Sequence, residues 1–376
     1  MANLFDYIHW RGDLSFHTSA FNEIDNLVFS EICYIDFEKA VSKFPSDEKR
    51  LLSDAIVDVF SHVKKEDMVL GLIVPYAIVE LTDKVKDCKR YSHIEVSNYV
   101  NKVNNKHGAL QFSAMCFHLS DEVIYVAFRG TDDSLIGWQE DIDMVCDFPV
   151  PAQKRALKYL EKIATLYPNA HFIVGGHSKG GNLATYSAIY ASDEVKDRII
   201  RVYNNDGPGF VKEKIDYEKY DQMHHKIIRI IPESSIIGMA LDPFAGRTKV
   251  VKSSVRGINQ HDAFSWEVDV KKFIRVPKLS DNAEKFDTLM TSRLTSLNEE
   301  ERKSLASDVF SFVTELNKNN LIEIQTKDSL RLLKFIRKIN SKNRKLFMEM
   351  IYALIKYKQL WKKEEDSSFL LIKMFL

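Results

Sequence analysis

The sequence has no excess of charge of either sign, with 53 lysines and arginines against 53 aspartates and glutamates in 376 residues. No whole-chain field favours a polyanion, which argues against nucleic acid as a partner. Cysteine is scarce: Cys33, Cys88, Cys116 and Cys146 are scattered, with no C-x-x-C pair. They read as buried thiols of a reducing compartment, not as a zinc site or a disulfide framework. No apolar run is long enough to span a bilayer, and the first residues lack a basic stretch followed by an apolar one. The expectation is a soluble cytoplasmic protein. Glycine is sparse too, at 14 residues, so the places where glycines cluster carry information.

The chain is long enough for one large domain or two smaller ones. Its first hundred residues read as mainly helical. Residues 22–37 place Ile24, Leu27, Val28 and Ile32 at helical spacing, and Ser46 is a candidate cap for a helix running through Leu51, Ile56 and Phe60. Residues 110–119 and 123–128 read as two strands of a hairpin. Helices and strands then alternate: helix 152–166, strand 171–175, helix 181–190, strand 199–204, a helix around 211–220, strand 226–231 and a short strand 248–251. Such alternation implies a largely parallel sheet with its chemistry at the carboxyl ends of the strands. Strand signals stop near Pro277. The division expected is a catalytic domain over 1–276, comprising a helical lead-in (1–105) and a core (106–276), followed by a helical extension over 277–376. Helices are expected over 282–297, 298–317 and 329–363, the last with a break near Asn340. Residues 326–363 are strongly basic, about +10. A basic amphipathic helix there would suit an anionic membrane surface or an acidic partner, and peripheral membrane contact through 326–376 follows as one expectation. The plainer one is a helical hairpin docked on the core.

Three glycines cluster in Gly176-His177-Ser178-Lys179-Gly180-Gly181, after an apolar strand and before a helix. G-x-S-x-G in that context is a nucleophile elbow, a turn so sharp that side chains two residues either side of the serine would collide. Ser178 is the candidate nucleophile. A serine hydroxyl needs a base, and in α/β-hydrolases the acid and then the histidine follow the nucleophile along the chain. His118 and His171 precede Ser178, His177 should point away and pack in the elbow, and His224 and His225 lie at the amino end of a strand. His261 remains as the candidate base. Its acid should end a strand between the two: Glu233 is preferred because it follows the second strand after the nucleophile. Asp206 in Asn-Asn-Asp-Gly-Pro-Gly is the alternative, since that sequence also builds turns without catalysis. Upstream, Phe128-Arg129-Gly130-Thr131 closes a strand where an oxyanion loop belongs, and Thr131 offers both an amide and a hydroxyl. The fold expected is α/β, an α/β-hydrolase with a mostly parallel central sheet.

Phe128-Arg129-Gly130-Thr131, with Trp138 and Asp141, and the elbow together resemble the paired signatures of class-three lipases. The resemblance implies an oxyanion hole from Thr131 and Lys179. Tyr7-Ile-His-Trp-Arg-Gly-Asp-Leu-Ser-Phe16, Asn22-Glu-Ile-Asp-Asn-Leu27, Asn205-Asp-Gly-Pro-Gly-Phe210, Pro232-Glu-Ser-Ser-Ile-Ile-Gly238 and Gln260-His261 with Trp266 resemble more closely an uncharacterised bacterial family of lipase-like α/β-hydrolases, over roughly the first 270 residues. Two departures from class-three lipases stand out. Lysine replaces the common leucine after Ser178, adding a charge near the mouth unless its side chain points into solvent, and Glu233 stands where those lipases use an aspartate. The expected activity is hydrolysis of a small-molecule or lipid acyl ester, with no metal or organic cofactor. A thioesterase or amidase on the same residues is the alternative, as is a non-catalytic adaptor acting through its basic helices. The segment 132–149 reads equally as a lid or as a loop crossing the sheet edge.

Overall fold

The computed structural model describes residues 1–317 apart from 69–73, 107, 133 and 242–246, and residues 336–349 apart from 338 and 347. Eight strands form the central sheet: β1 (Arg50–Leu51), β2 (Glu95–Asn104), β3 (Leu110–His118), β4 (Val123–Phe128), β5 (His171–His177), β6 (Ile199–Asn205), β7 (Ile227–Pro232) and β8 (Arg247–Val251). They lie side by side in chain order. β1 to β4 pair antiparallel, and β4 to β8 pair parallel. This mostly parallel sheet with covering helices is an α/β-hydrolase fold.

Strands added always on the same side send their crossover helices to one face, because right-handed connections admit no other route. Helices Pro151–Leu166 and Lys179–Tyr190 accordingly bury Ala156, Leu160, Ile163, Leu183 and Ala184 together with Phe172 and Val174 of β5. The opposite face would be left bare, since every second residue of β5 points there. The lead-in covers it: Leu4, Tyr7, Leu27, Ile32, Ile56 and Leu81 pack in one cluster with Ile173, Tyr125 and Ile230. The N-terminal helices are thus the second layer of the fold.

Most of the expected elements form, with three differences. β2 departs from the helical reading of the first hundred residues. Its Asn98, Asn101, Lys102 and Asn104 hide the period-two pattern, and a bulge between Ser97 and Val100 interrupts it. Ser46 does not cap a helix. Its amide donates to Asn98 Oδ1 at 2.8 Å, and the helix Leu52–His62 starts at Leu51 with no side-chain cap. The helix expected near 211–220 lies at Tyr217–Met223, capped by Asp216.

Beyond β8, helices Asp281–Thr295 and Glu299–Asn317 form as expected. They lie against the core: Phe286 packs on Ile236, Ser280 Oγ meets Ser234 Oγ at 2.9 Å, and Lys214 and Glu213 pair with Glu299 and Arg302. The chain breaks at Asn340, whose side chain accepts from the Asn343 amide at 2.9 Å to start a new helical turn. Most of the expected helix 329–363 and of the basic segment 326–376 lies outside the described residues. Among the described residues no helix is long and apolar enough to cross a membrane.

Candidate active site

Ser178 sits between β5 and the helix Lys179–Tyr190 at φ 56° and ψ −133°, a combination that an L-residue adopts only under constraint. The glycines around it are required by contact. A Cβ at Gly180 would lie 2.1 Å from the Phe128 carbonyl oxygen, and one at Gly176 would lie 2.4 Å from that oxygen and 2.4 Å from the Gly180 carbonyl carbon. The Ser178 amide donates to the Asn205 carbonyl at 2.9 Å, which fastens the elbow to the end of β6.

That placement brings Asp206 to the site. Asp206 is fully buried, at a positive φ of 51°, with its amide donating to the Ile230 carbonyl at 2.8 Å. Its Oδ2 lies 2.7 Å from His261 Nδ1. Asp206, the alternative acid, and not the preferred Glu233, is thus the carboxylate that meets His261. The backbone of Glu233 is fastened elsewhere: its amide donates to Val251 O of β8 at 3.0 Å, and its carbonyl accepts from the Ser280 amide of the extension at 2.7 Å. The reason is sheet geometry. β6 adjoins β5, so the first strand after the nucleophile ends beside the serine, while β7 ends one strand further away.

The Pro232–Gly238 loop supports the pair through residues to which the sequence pattern assigned no role. Ser235 Oγ donates to Asp206 Oδ1 and accepts from the Gly238 amide at 2.9 Å. Gly238 packs so close that a Cβ would stand 2.3 Å from Asp206 Oδ1. Gln260 Oε1 accepts from the Ser234 amide at 2.7 Å, and the Gln260 carbonyl accepts from Trp266 Nε1 at 2.8 Å. The first of these bonds holds the His261 segment against the Pro232–Gly238 loop, and the second braces the segment on itself.

The loop expected to offer an oxyanion donor follows β4. Thr131 is buried, and its hydroxyl donates to Asp141 Oδ2 at 2.5 Å, so of its two donors the hydroxyl is already engaged. Gly130 must be glycine here: a Cβ would lie 2.0 Å from the Tyr34 hydroxyl and 2.7 Å from the His177 carbonyl. Lys179 differs from expectation. Its side chain is 1% exposed and reaches neither mouth nor solvent. Nζ donates to Gln111 Oε1 and lies 3.2 Å from Glu140 Oε2 and 3.6 Å from Asp141 Oδ1.

Glu140 in turn accepts from the Gln111 amide at 3.0 Å and the Ala152 amide at 2.8 Å. Burial raises its carboxyl above the ordinary range, and the Lys179 charge and these hydrogen bonds pull it back. The helix Leu135–Asp143, within the segment 132–149, is thus joined to the elbow through Glu140.

A family model described as Mbeg1-like matches residues 85–311, more than half of the chain. No curated protein matches. Solved structures with similarity include that of M37 lipase, at 16% identity over 58% of this chain and 70% of that one, with a TM-score of 0.36. The native Rhizomucor miehei lipase propeptide complex shows 16% identity over 49% and 68%, with a TM-score of 0.32. A mutant form of MDLA from Penicillium cyclopium shows 13% over 69% and 88%, with a TM-score of 0.34. The site described above rests on none of these distant likenesses.

Proposed function

The chain belongs to the Mbeg1-like family, and we propose that it is a serine hydrolase that cleaves a carboxylic ester through an acyl-enzyme. The observation that carries this reading is the 2.7 Å contact of Asp206 with His261 Nδ1 beside a serine held at an elbow. With Nδ1–H donating to the carboxylate, Nε2 is the ring nitrogen left to accept a proton. Ser178 attacks the acyl carbonyl as His261 takes its proton. Asp206 then stabilises the imidazolium. The amides of Thr131 and Lys179 stabilise the tetrahedral oxyanion, a contribution on the order of 3 kcal/mol for each donor. His261 returns the proton to the leaving alcohol, and water attacks the acyl-enzyme by the same route in reverse.

The substrate is a small or lipid acyl ester. Ser178→Ala is expected to abolish both turnover of a short p-nitrophenyl ester and labelling by a fluorophosphonate probe. Labelling that persists at another residue overturns the assignment.

A further inference from the structure

Beneath His261 lies a second histidine that the hydrolytic steps do not use. His177 precedes the nucleophile, is buried, and stacks on His261 with ring centroids 4.7 Å apart and planes 29° from parallel. Its Nε2 lies 2.9 Å from the His261 carbonyl oxygen. A carbonyl only accepts, so Nε2 carries a proton. Its Nδ1 lies 3.2 Å from Oε1 of Glu31, which projects from the helix Glu23–Ile32 and is 1% exposed. The Nδ1–Oε1 contact admits two states: an imidazolium facing a carboxylate, or a neutral imidazole accepting from a protonated carboxyl.

The surroundings favour the neutral state. Two charges buried here would each forfeit hydration, and a single attraction seldom repays that. Among the described residues Glu31 Oε1 accepts no hydrogen bond, and its 3.2 Å approach to His177 Nδ1 is the one polar contact found for it; a buried carboxylate needs more donors than that. Among the described residues the groups around the pair add no compensating cation. The Tyr34 ring stands 6.4 Å from His177 and that of Trp266 6.3 Å. Asp262, next to His261, disfavours a second negative charge, so burial and Asp262 together hold the Glu31 carboxyl well above the usual range. Burial, then the neighbouring His261, hold His177 well below the usual range.

We propose that an un-ionised Glu31 donates a hydrogen bond to His177, which donates in turn to the backbone of His261, making Glu31 and His177 positioning residues for the base. The proposal rests on the hydrolase reading for its consequence, because a neutral His177 leaves His261 free to become an imidazolium during turnover without a like charge stacked upon it. It also ties the helix Glu23–Ile32 to the catalytic loop across the sheet.

Two measurements test it. In the full chain labelled with ¹⁵N-histidine, His177 is expected to stay neutral, protonated at Nε2, between about pH 6 and 9; an imidazolium signature at pH 7 overturns the proposal. With a p-nitrophenyl ester, Glu31→Leu is expected to lower kcat about tenfold with KM little changed. Glu31→Gln, whose amide N–H replaces the acid proton, is expected to recover kcat to within about twofold and leave the pH profile in place. A glutamine variant as impaired as the leucine variant, or a shifted acid limb in it, overturns the proposal. The NMR signature needs no turnover, so it decides the relay even where the leucine variant does not fold. An inactive wild-type protein would sink the hydrolase reading without touching that signature.

Discussion

Asp206 holds its place through its backbone as well as its side chain. A positive φ at a buried aspartate is unfavourable and persists because Ile230, Ser235 and Gly238 close around it. Asp206→Asn keeps this shape but presents the wrong tautomer partner to His261. Its kcat is expected to fall about 10⁴-fold, while Glu233→Gln changes the ester kinetics little. Equal losses in both variants would contradict the geometry. His118 offers a residue-scale test of stability. Burial, aided by Lys49, pushes its imidazole down from 6.5 to about 3, and Nε2 engages Ser97 Oγ at 2.8 Å. Between those two values the unfolded chain holds a proton that the folded protein lacks. Stability therefore falls as pH drops through this window, at up to about 1.4 kcal/mol per unit. His118→Gln is expected to flatten the acid side of the Tm–pH curve.

At the scale of elements, the elbow is a meeting of three segments. β4 approaches the start of the helix Lys179–Tyr190 so closely that no side chain fits at Gly176 or Gly180. The helix Leu135–Asp143 is pinned to the same point by the buried Lys179–Glu140 contact. Lys179→Met leaves the Glu140 carboxyl without its cation and is expected to cost about 3 kcal/mol, read as a lower urea midpoint. Adding Glu140→Gln should recover part of the loss, which a double-mutant cycle measures. The elbow was legible in the sequence because its glycines are adjacent along the chain. The role of the Lys179 side chain was not, since its partners come from Gln111 and Glu140.

Across the whole molecule, the sheet is covered on one face by its own crossovers and on the other by the lead-in helices. The extension adds a wall beside the loop that follows β7. A cavity of about 140 Å³ lies between Phe210, Val211 and Leu241 of the core and Thr291, Leu294 and Arg302 of the extension. Removing residues 277–376 would strip Ser280 from Ser234 and Glu233 and uncover Ile236. The truncated chain is expected to melt at a lower temperature and to lose ester turnover. Full activity at unchanged Tm would show the extension to be independent of the site.

What the sequence determined by itself was local: the strand–serine–helix elbow, the alternation that makes a parallel sheet, and the candidacy of His261 by its order along the chain. Each depends on residues close together or on direction along the backbone. The tertiary structure decided what depends on neighbours in space. It set Asp206, not Glu233, against His261 because β6, not β7, lies against β5. It buried Lys179, and it brought Glu31 to His177 from a helix far earlier in the chain. Side chains at such separations share no pattern along the sequence, and only the packing of the two layers on the sheet makes them partners.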